Sequence, residues 1–130
     1  MKVDRLRQWH CPGLLCIGDA AHAMSPIGGV GINLAIQDAV AAANRLAEPL
    51  RTHTLTQDHL AEVQKRRERA THLTQNLQLL IQNKVIEPLL HRDEPVTVPT
   101  GFKLLQRLPV LSRIPARLIG MGFRPEHVNA

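Results

Sequence analysis

The chain's folding options are set above all by four apolar residues, Leu14-Leu15-Cys16-Ile17, held between Gly13 and Gly18. A run this short and this apolar predicts a buried strand, of the kind covered on both faces in parallel sheets. Its backbone donors and acceptors need neighbouring strands, and no other segment of the sequence offers one. The chain is therefore expected to be part of something larger, or to pair with another chain. Gly18-Asp19 ends the strand. Residues 20–31 are rich in Ala, Gly and Pro and read as a loop with tight turns. From Ile32 the pattern turns helical, with Ile32, Ile36, Ala39, Ala43, Leu46 and Leu50 on one stripe and Pro49 marking the end.

A second helix is expected from about Leu55, with Thr54 and Gln57 at capping-box spacing. Leu60, Val63, Ala70, Leu73, Leu77, Leu80 and Ile81 form its apolar face. It reaches Val85 or Ile86, about 30 residues, a length that suits a long packing helix. Arg66, Arg67 and Thr74 interrupt the seam a coiled coil would need. Arg66, Arg67 and Arg69 read as a solvated face, or else as a contact with a further domain. Residues 91–101 read as a loop, followed by helical pieces over 102–108 and 111–121 separated by Pro109 and Pro115. The fold class predicted is an α/β fragment, mostly helical, with one buried strand, a loop and long helices. Its division is residues 1–50, carrying strand, loop and first helix, and residues 51–130, a helical region.

Composition narrows the function classes. The 130 residues carry a formal charge of +5, from 16 Lys and Arg against 11 Asp and Glu. The basic residues are spread along the chain, and the densest run, 65–69, is broken by Glu68. No aromatics interleave with it as a single-strand stacking platform requires, so nucleic acid is not an expected partner. Trp9, Phe102 and Phe123 are the only aromatics apart from histidine. The N-terminal residues are charged with no apolar run behind them, no stretch has the roughly 18–20 apolar residues that span a bilayer, and the two cysteines read as free thiols of a reduced, cytoplasmic protein. Cys11, Cys16 and His22 lack the paired short spacing of a zinc site; no metal ligands are assigned. Residues 109–123 mix apolar and Arg positions as a membrane-surface helix does, but a helix packed on the rest of the fold is the expectation.

Residues 18–38 concentrate the chemistry. Asp19 sits at the C-terminal end of the expected strand, the edge at which open α/β sheets bind ligands. Glycines at 28, 29 and 31 let backbone come close to a ligand. The helix that follows starts with amides at Gly31, Ile32 and Asn33 that lack intrahelical partners and carry a partial positive charge. A carboxylate accepts hydroxyls well and phosphates poorly. Acid plus helix N-terminus thus suits a polyol with a polarisable carbonyl nearby, and a flavin has both.

This segment closely resembles the second FAD motif of the flavoprotein monooxygenases related to p-hydroxybenzoate hydroxylase. Gly18-Asp19, Ala20-Ala21-His22, Pro26, Gly28, Gly31, Asn33 and Asp38 follow in the family's order. Trp9-His10, Pro12-Gly13 and the ending Arg124-Pro125-Glu126-His127-Val128 resemble its flanks. The resemblance implies the C-terminal part of an FAD/NAD(P)-binding Rossmann-like domain, with Gly18, Asp19, Pro26, Gly28, Gly29, Gly31, Ile32 and Asn33 binding FAD. Asp19 would accept a ribityl hydroxyl, Pro26 would lie against the isoalloxazine, and the amides of 28–33 would face the pyrimidine edge, where the helix dipole favours the anionic reduced state. NAD(P)H would reduce the flavin, and one atom of oxygen would enter a small organic substrate. His22 is expected to be a structural loop residue rather than a base, and no catalytic residue is assigned. Ser25 stands where relatives often have a second Pro.

The family's opening Gly-x-Gly-x-x-Gly is missing, since Leu34 occupies the third glycine position after Gly29 and Gly31. Its Asp-Gly motif and substrate-binding sheet are missing too. Met1 reads as a late start or a fragment boundary, so the partners expected are N-terminal FAD and substrate domains, and the fragment alone is expected to be inactive. The rival reading is a non-catalytic helical interaction protein or truncated gene product.

Overall fold

A computed structural model describes residues 4–26, 29–87, 113, 117 and 120–129. Among these residues four two-residue strands form two separate antiparallel ladders. β1 (Asp4–Arg5) pairs with β4 (His22–Ala23), and β2 (His10–Cys11) pairs with β3 (Leu14–Leu15). Pro12 and Gly13 turn the β2–β3 hairpin, and Gly13 adopts a φ of +79°, the left-handed value that the second position of a type II turn requires after proline.

The buried strand expected over residues 13–17 is corrected by this arrangement. Only Leu14–Leu15 is ladder-paired, its partner is antiparallel, and Leu14 is 55% exposed. Among the described residues no strand lies beside it on the other edge, so nothing covers both faces. Cys16 N–H instead donates to the Trp9 carbonyl at 2.7 Å. The β1–β4 ladder, of which β4 falls inside the expected loop, was not legible, because its strands are too short for alternation to register.

Helix α1 (Val30–Arg51) starts two residues earlier than its apolar pattern and passes Pro49 before ending. Proline obstructs the turn that precedes it, and the chain closes two residues on, where Thr52 N–H reaches Glu48 O at 2.9 Å. Helix α2 (Gln57–Ile81) continues into a π turn over Gln82–Ile86, close to the expected length. Its capping box uses Thr56 and His59, not Thr54 and Gln57. Thr54 is already committed: its N–H bonds Pro49 O at 2.9 Å and its hydroxyl meets Thr52 Oγ1 at 2.8 Å. The short connection turns α2 back against α1, and Leu46, Leu60 and Val63 form an apolar cluster with Leu15 and Ala42 against it.

The buried faces depart from the predicted ones over most of α1, where only Leu46 of the predicted stripe is buried, and over the second half of α2. On α1 the buried side chains are Val30, Leu34, Gln37, Asp38, Ala41 and Leu46, while Ile32 is 71% and Ile36 58% exposed. On α2, Leu60, Val63 and Ala70 are buried as expected, but Leu73 and Leu80 are exposed and Arg67, Thr71, Thr74, Gln75 and Gln78 are buried. This polar half docks the strands. Gln75 Nε2 donates to the carbonyls of Asp4 (3.2 Å) and Ala23 (3.3 Å), and Gln78 Nε2 to Ser25 O (3.0 Å). Trp9 N–H donates to Gln64 Oε1 at 2.9 Å.

The sequence-predicted elements over 91–101 and 102–108 lie outside the described residues, as does most of 109–123; Arg113, Arg117, Gly120 and Met121 are helical. Residues 120–129 run along α1, where Asn33, Gln37 and Asn44 donate to the carbonyls of Gly120 (2.9 Å), Met121 (2.7 Å) and His127 (2.8 Å). Among the described residues no helix is long and apolar enough to cross a membrane.

Candidate functional site

After Ile17 the chain makes a 3-10 turn over Gly18–Ala20. Gly18 is buried with φ +57°, and a Cβ there would stand 3.0 Å from Ala35 Cβ. Both facts disfavour a side chain: the left-handed backbone is costly for other residues, and α1 lies close enough that Ala35 would have to give way. The turn leaves Asp19 exposed. Beyond β4 the chain passes Met24, Ser25 and Pro26 to Gly29, whose φ of +64° caps α1 without a side-chain hydrogen bond. The first amides of α1 are thus unclaimed by any capping side chain, which is the condition for a helix end to meet a ligand.

Turn, loop and helix enclose an open cavity of about 610 Å³. Of the predicted positions, Gly18, Asp19, Pro26, Gly29, Gly31 and Ile32 line it together. Ile17, Met24, Ala35, Ile36 and Ala39, with Ser25, make the rest of the wall mainly apolar. Gly28 lies outside the described residues. The Asn33 side chain is not in the lining, because it donates to Gly120 O at 2.9 Å. The cavity combines an exposed carboxylate, a helix start without a side-chain cap and a mainly apolar wall. That donor set fits the ribityl and ring end of a flavin dinucleotide. No second glycine-rich phosphate loop accompanies it among the described residues.

Behind the cavity lies a charged cluster centred on Asp38, which is fully buried on α1. Its Oδ2 accepts from Gly18 N–H at 3.2 Å and from His22 Nε2 at 2.5 Å, and its Oδ1 from Arg67 Nε at 2.9 Å. Burial pushes the Asp38 carboxyl up, but the hydrogen bonds from His22 and Arg67, with the Gly18 amide, outweigh it and hold the pKa below the ordinary value. An ionised carboxylate only accepts, so His22 Nε2 is the donor. His22 is buried under Trp9, with ring centroids 5.1 Å apart, and does not line the cavity.

Arg67 corrects the reading of a solvated arginine face. It is fully buried, and NH2 and NH1 also donate to Gln37 Oε1 (3.1 Å) and Arg124 O (3.1 Å). Arg66 does sit at the surface side, in a two-bond pair with Glu126 at 2.7 and 3.1 Å. The signal for Arg67 was present: it falls four residues after Val63 and three before Ala70, on the buried stripe. Hydropathy hid what spacing revealed.

Residues 1–77 match the model of a family described as FAD binding domain. The chain belongs to the FAD-dependent aromatic monooxygenase family. Among its relatives is 6-methylpretetramide 4-monooxygenase of Streptomyces rimosus, 38% identical over 112 residues, which is 86% of this chain and 26% of that one. An FAD-dependent monooxygenase of Claviceps paspali is 32% identical over 120 residues, 91% of this chain and 23% of its own. Kynurenine 3-monooxygenase of Xanthomonas oryzae pv. oryzae is 55% identical over 42 residues, 32% of this chain and 9% of its own. The chain thus spans about a quarter or less of these monooxygenases. FAD is the cofactor of the family.

Proposed function

We propose that this chain is the flavin-facing part of an FAD-dependent monooxygenase, holding the ribityl and isoalloxazine end of the cofactor. The observation that carries the reading is the single cavity shared by Gly18, Asp19, Pro26, Gly29, Gly31 and Ile32. Asp19 accepts a ribityl hydroxyl, Pro26 rests against the ring, and the amides of the first turn of α1 meet the pyrimidine edge, where the helix dipole favours negative charge. Bound FAD supplies electron transfer from NAD(P)H and the oxygen chemistry that hydroxylates a small organic substrate. The protein's own part is to bind, orient and shield.

The ADP site and the substrate-binding sheet belong, in this reading, to N-terminal domains that the chain does not itself carry. Ile32 and Ile36, exposed on the cavity wall, support an apolar face covered by the flavin ring and whatever closes over it. Residues 1–50 then face the flavin and residues 51–130 brace them. Free Cys11 and Cys16 support a reducing, cytoplasmic setting. The same exposed face favours a second reading, a helical interaction protein without catalysis; NAD(P)H turnover by the chain with FAD would eliminate it.

The test of the site is Asp19→Ala in the full-length protein. The expected result is loss of FAD on gel filtration, read from the flavin absorbance of the protein peak. Unchanged flavin content sinks the role given to Asp19.

A further inference from the structure

We propose that Arg67 is a positioning residue for the flavin cavity, acting through Asp38 on the Gly18 amide that precedes Asp19. The proposal rests on the flavin reading for its purpose, but its geometry is independent of any ligand. Arg67 on α2 donates to Asp38 Oδ1, and Asp38 on α1 uses Oδ2 to accept Gly18 N–H. Asp19 is the next residue, and Asp19 lines the cavity. One carboxylate therefore ties α2, α1 and the turn together, within a site shielded from water.

Two features make this more than a packing contact. The turn has little else to define it: a glycine at 18 can leave its left-handed φ of +57° at little cost, and Ala21 N–H to Gly18 O (2.9 Å) is its internal bond. Arg67 is itself oriented from three sides, by Asp38, by Gln37 and by the Arg124 carbonyl. A planar guanidinium meets all three at once, whereas a lysine ammonium has neither the reach nor the fork to do so. Through the last of these bonds the C-terminal segment also bears on the turn.

Amide hydrogen exchange on the ¹⁵N-labelled full chain, read with no flavin present, tests the relay. Arg67→Lys keeps the charge and removes the fork. Asp38→Asn keeps the shape but has one acceptor oxygen, which the buried guanidinium claims, leaving an NH2 facing the Gly18 amide. In both, exchange at Gly18 is expected to rise at least about tenfold, the factor for losing a hydrogen bond to a charged acceptor. In Arg67→Lys, where Asp38 keeps a cationic partner, Leu46 and Val63 in the apolar cluster should change far less, and this variant carries the comparison; in Asp38→Asn, which strands the Arg67 cation, they rise with the loss of global stability. Arg66→Gln breaks the Glu126 pair on the same helix and should leave Gly18 protected. Gly18 exchange that stays at the wild-type rate, or that in Arg67→Lys rises only by the factor seen at Leu46 and Val63, overturns the proposal. Failure of the flavin reading leaves a different trace, unchanged flavin content in Asp19→Ala of the full-length protein.

Discussion

Asp38 holds its charge in a place where charge is expensive. Desolvation alone would favour the neutral acid, and three donors reverse that preference. A carboxyl whose folded pKa is depressed stabilises the fold above its unfolded value and loses that contribution as pH falls through the folded value. The window here opens below the ordinary value of 3.8. Urea unfolding from neutral pH down to about pH 2 should therefore show wild-type stability falling steeply at the acid end. Asp38→Asn should be weaker at neutral pH by about 3–5 kcal/mol, the cost of stranding a buried cation, and should lack most of that acid slope. Equal slopes in the two proteins would contradict the role assigned to Asp38. Neither His22 nor Arg67 could be paired with Asp38 from the sequence. They stand 16 and 29 residues away from it, and such distant pairings depend on how α1 and α2 pack.

At the scale of elements, extent was more legible than orientation. Caps, prolines and periodicity located α1 and the long α2 to within a few residues, because those signals are local. Which stripe of α1 turns inward was misread. Ile32, Ile36, Ala39 and Ala43 have the spacing of a buried face, yet the chain buries Leu34, Asp38 and Ala41 instead. Periodicity reports that a face is apolar, not what covers it, and the cover proposed here lies beyond this chain. Replacing both Ile32 and Ile36 by Ser should thus change the chain's own unfolding free energy by no more than about 0.5 kcal/mol, measured by denaturant titration, while abolishing flavin retention in the full-length protein. A large loss of stability in the chain itself would contradict an unpartnered stripe. Gly18→Ala tests the neighbouring turn. The left-handed backbone costs alanine about 1–2 kcal/mol, and its Cβ would meet Ala35 at 3.0 Å, so thermal unfolding should fall by at least that much.

For the molecule as a whole, two polar systems compensate for a modest apolar core. One is the Asp38 cluster; the other is the set of glutamines that fasten the strands to α2. Small domains bury limited apolar surface, and hydrogen bonds of defined direction give this one a single arrangement of strands and helices. That Gly18, Asp19, Pro26 and the start of α1 line one cavity follows from their closeness in sequence, which made their grouping readable. The two small ladders were not, since the family pattern leads one to expect a parallel sheet and the strands for it are not among the described residues.

Trp9 gives the molecule a property that needs no labelling. It is the chain's one tryptophan, 1% exposed, and it lies against His22, which holds the same carboxylate as Gly18. A flavin in the adjoining cavity absorbs where a buried indole emits. FAD occupancy should therefore dim this one emission by energy transfer, and Asp19→Ala should restore it. An emission indifferent to flavin in the full-length protein, once corrected for any further tryptophans, would count against the cavity. The chain thus carries its own optical gauge of the site.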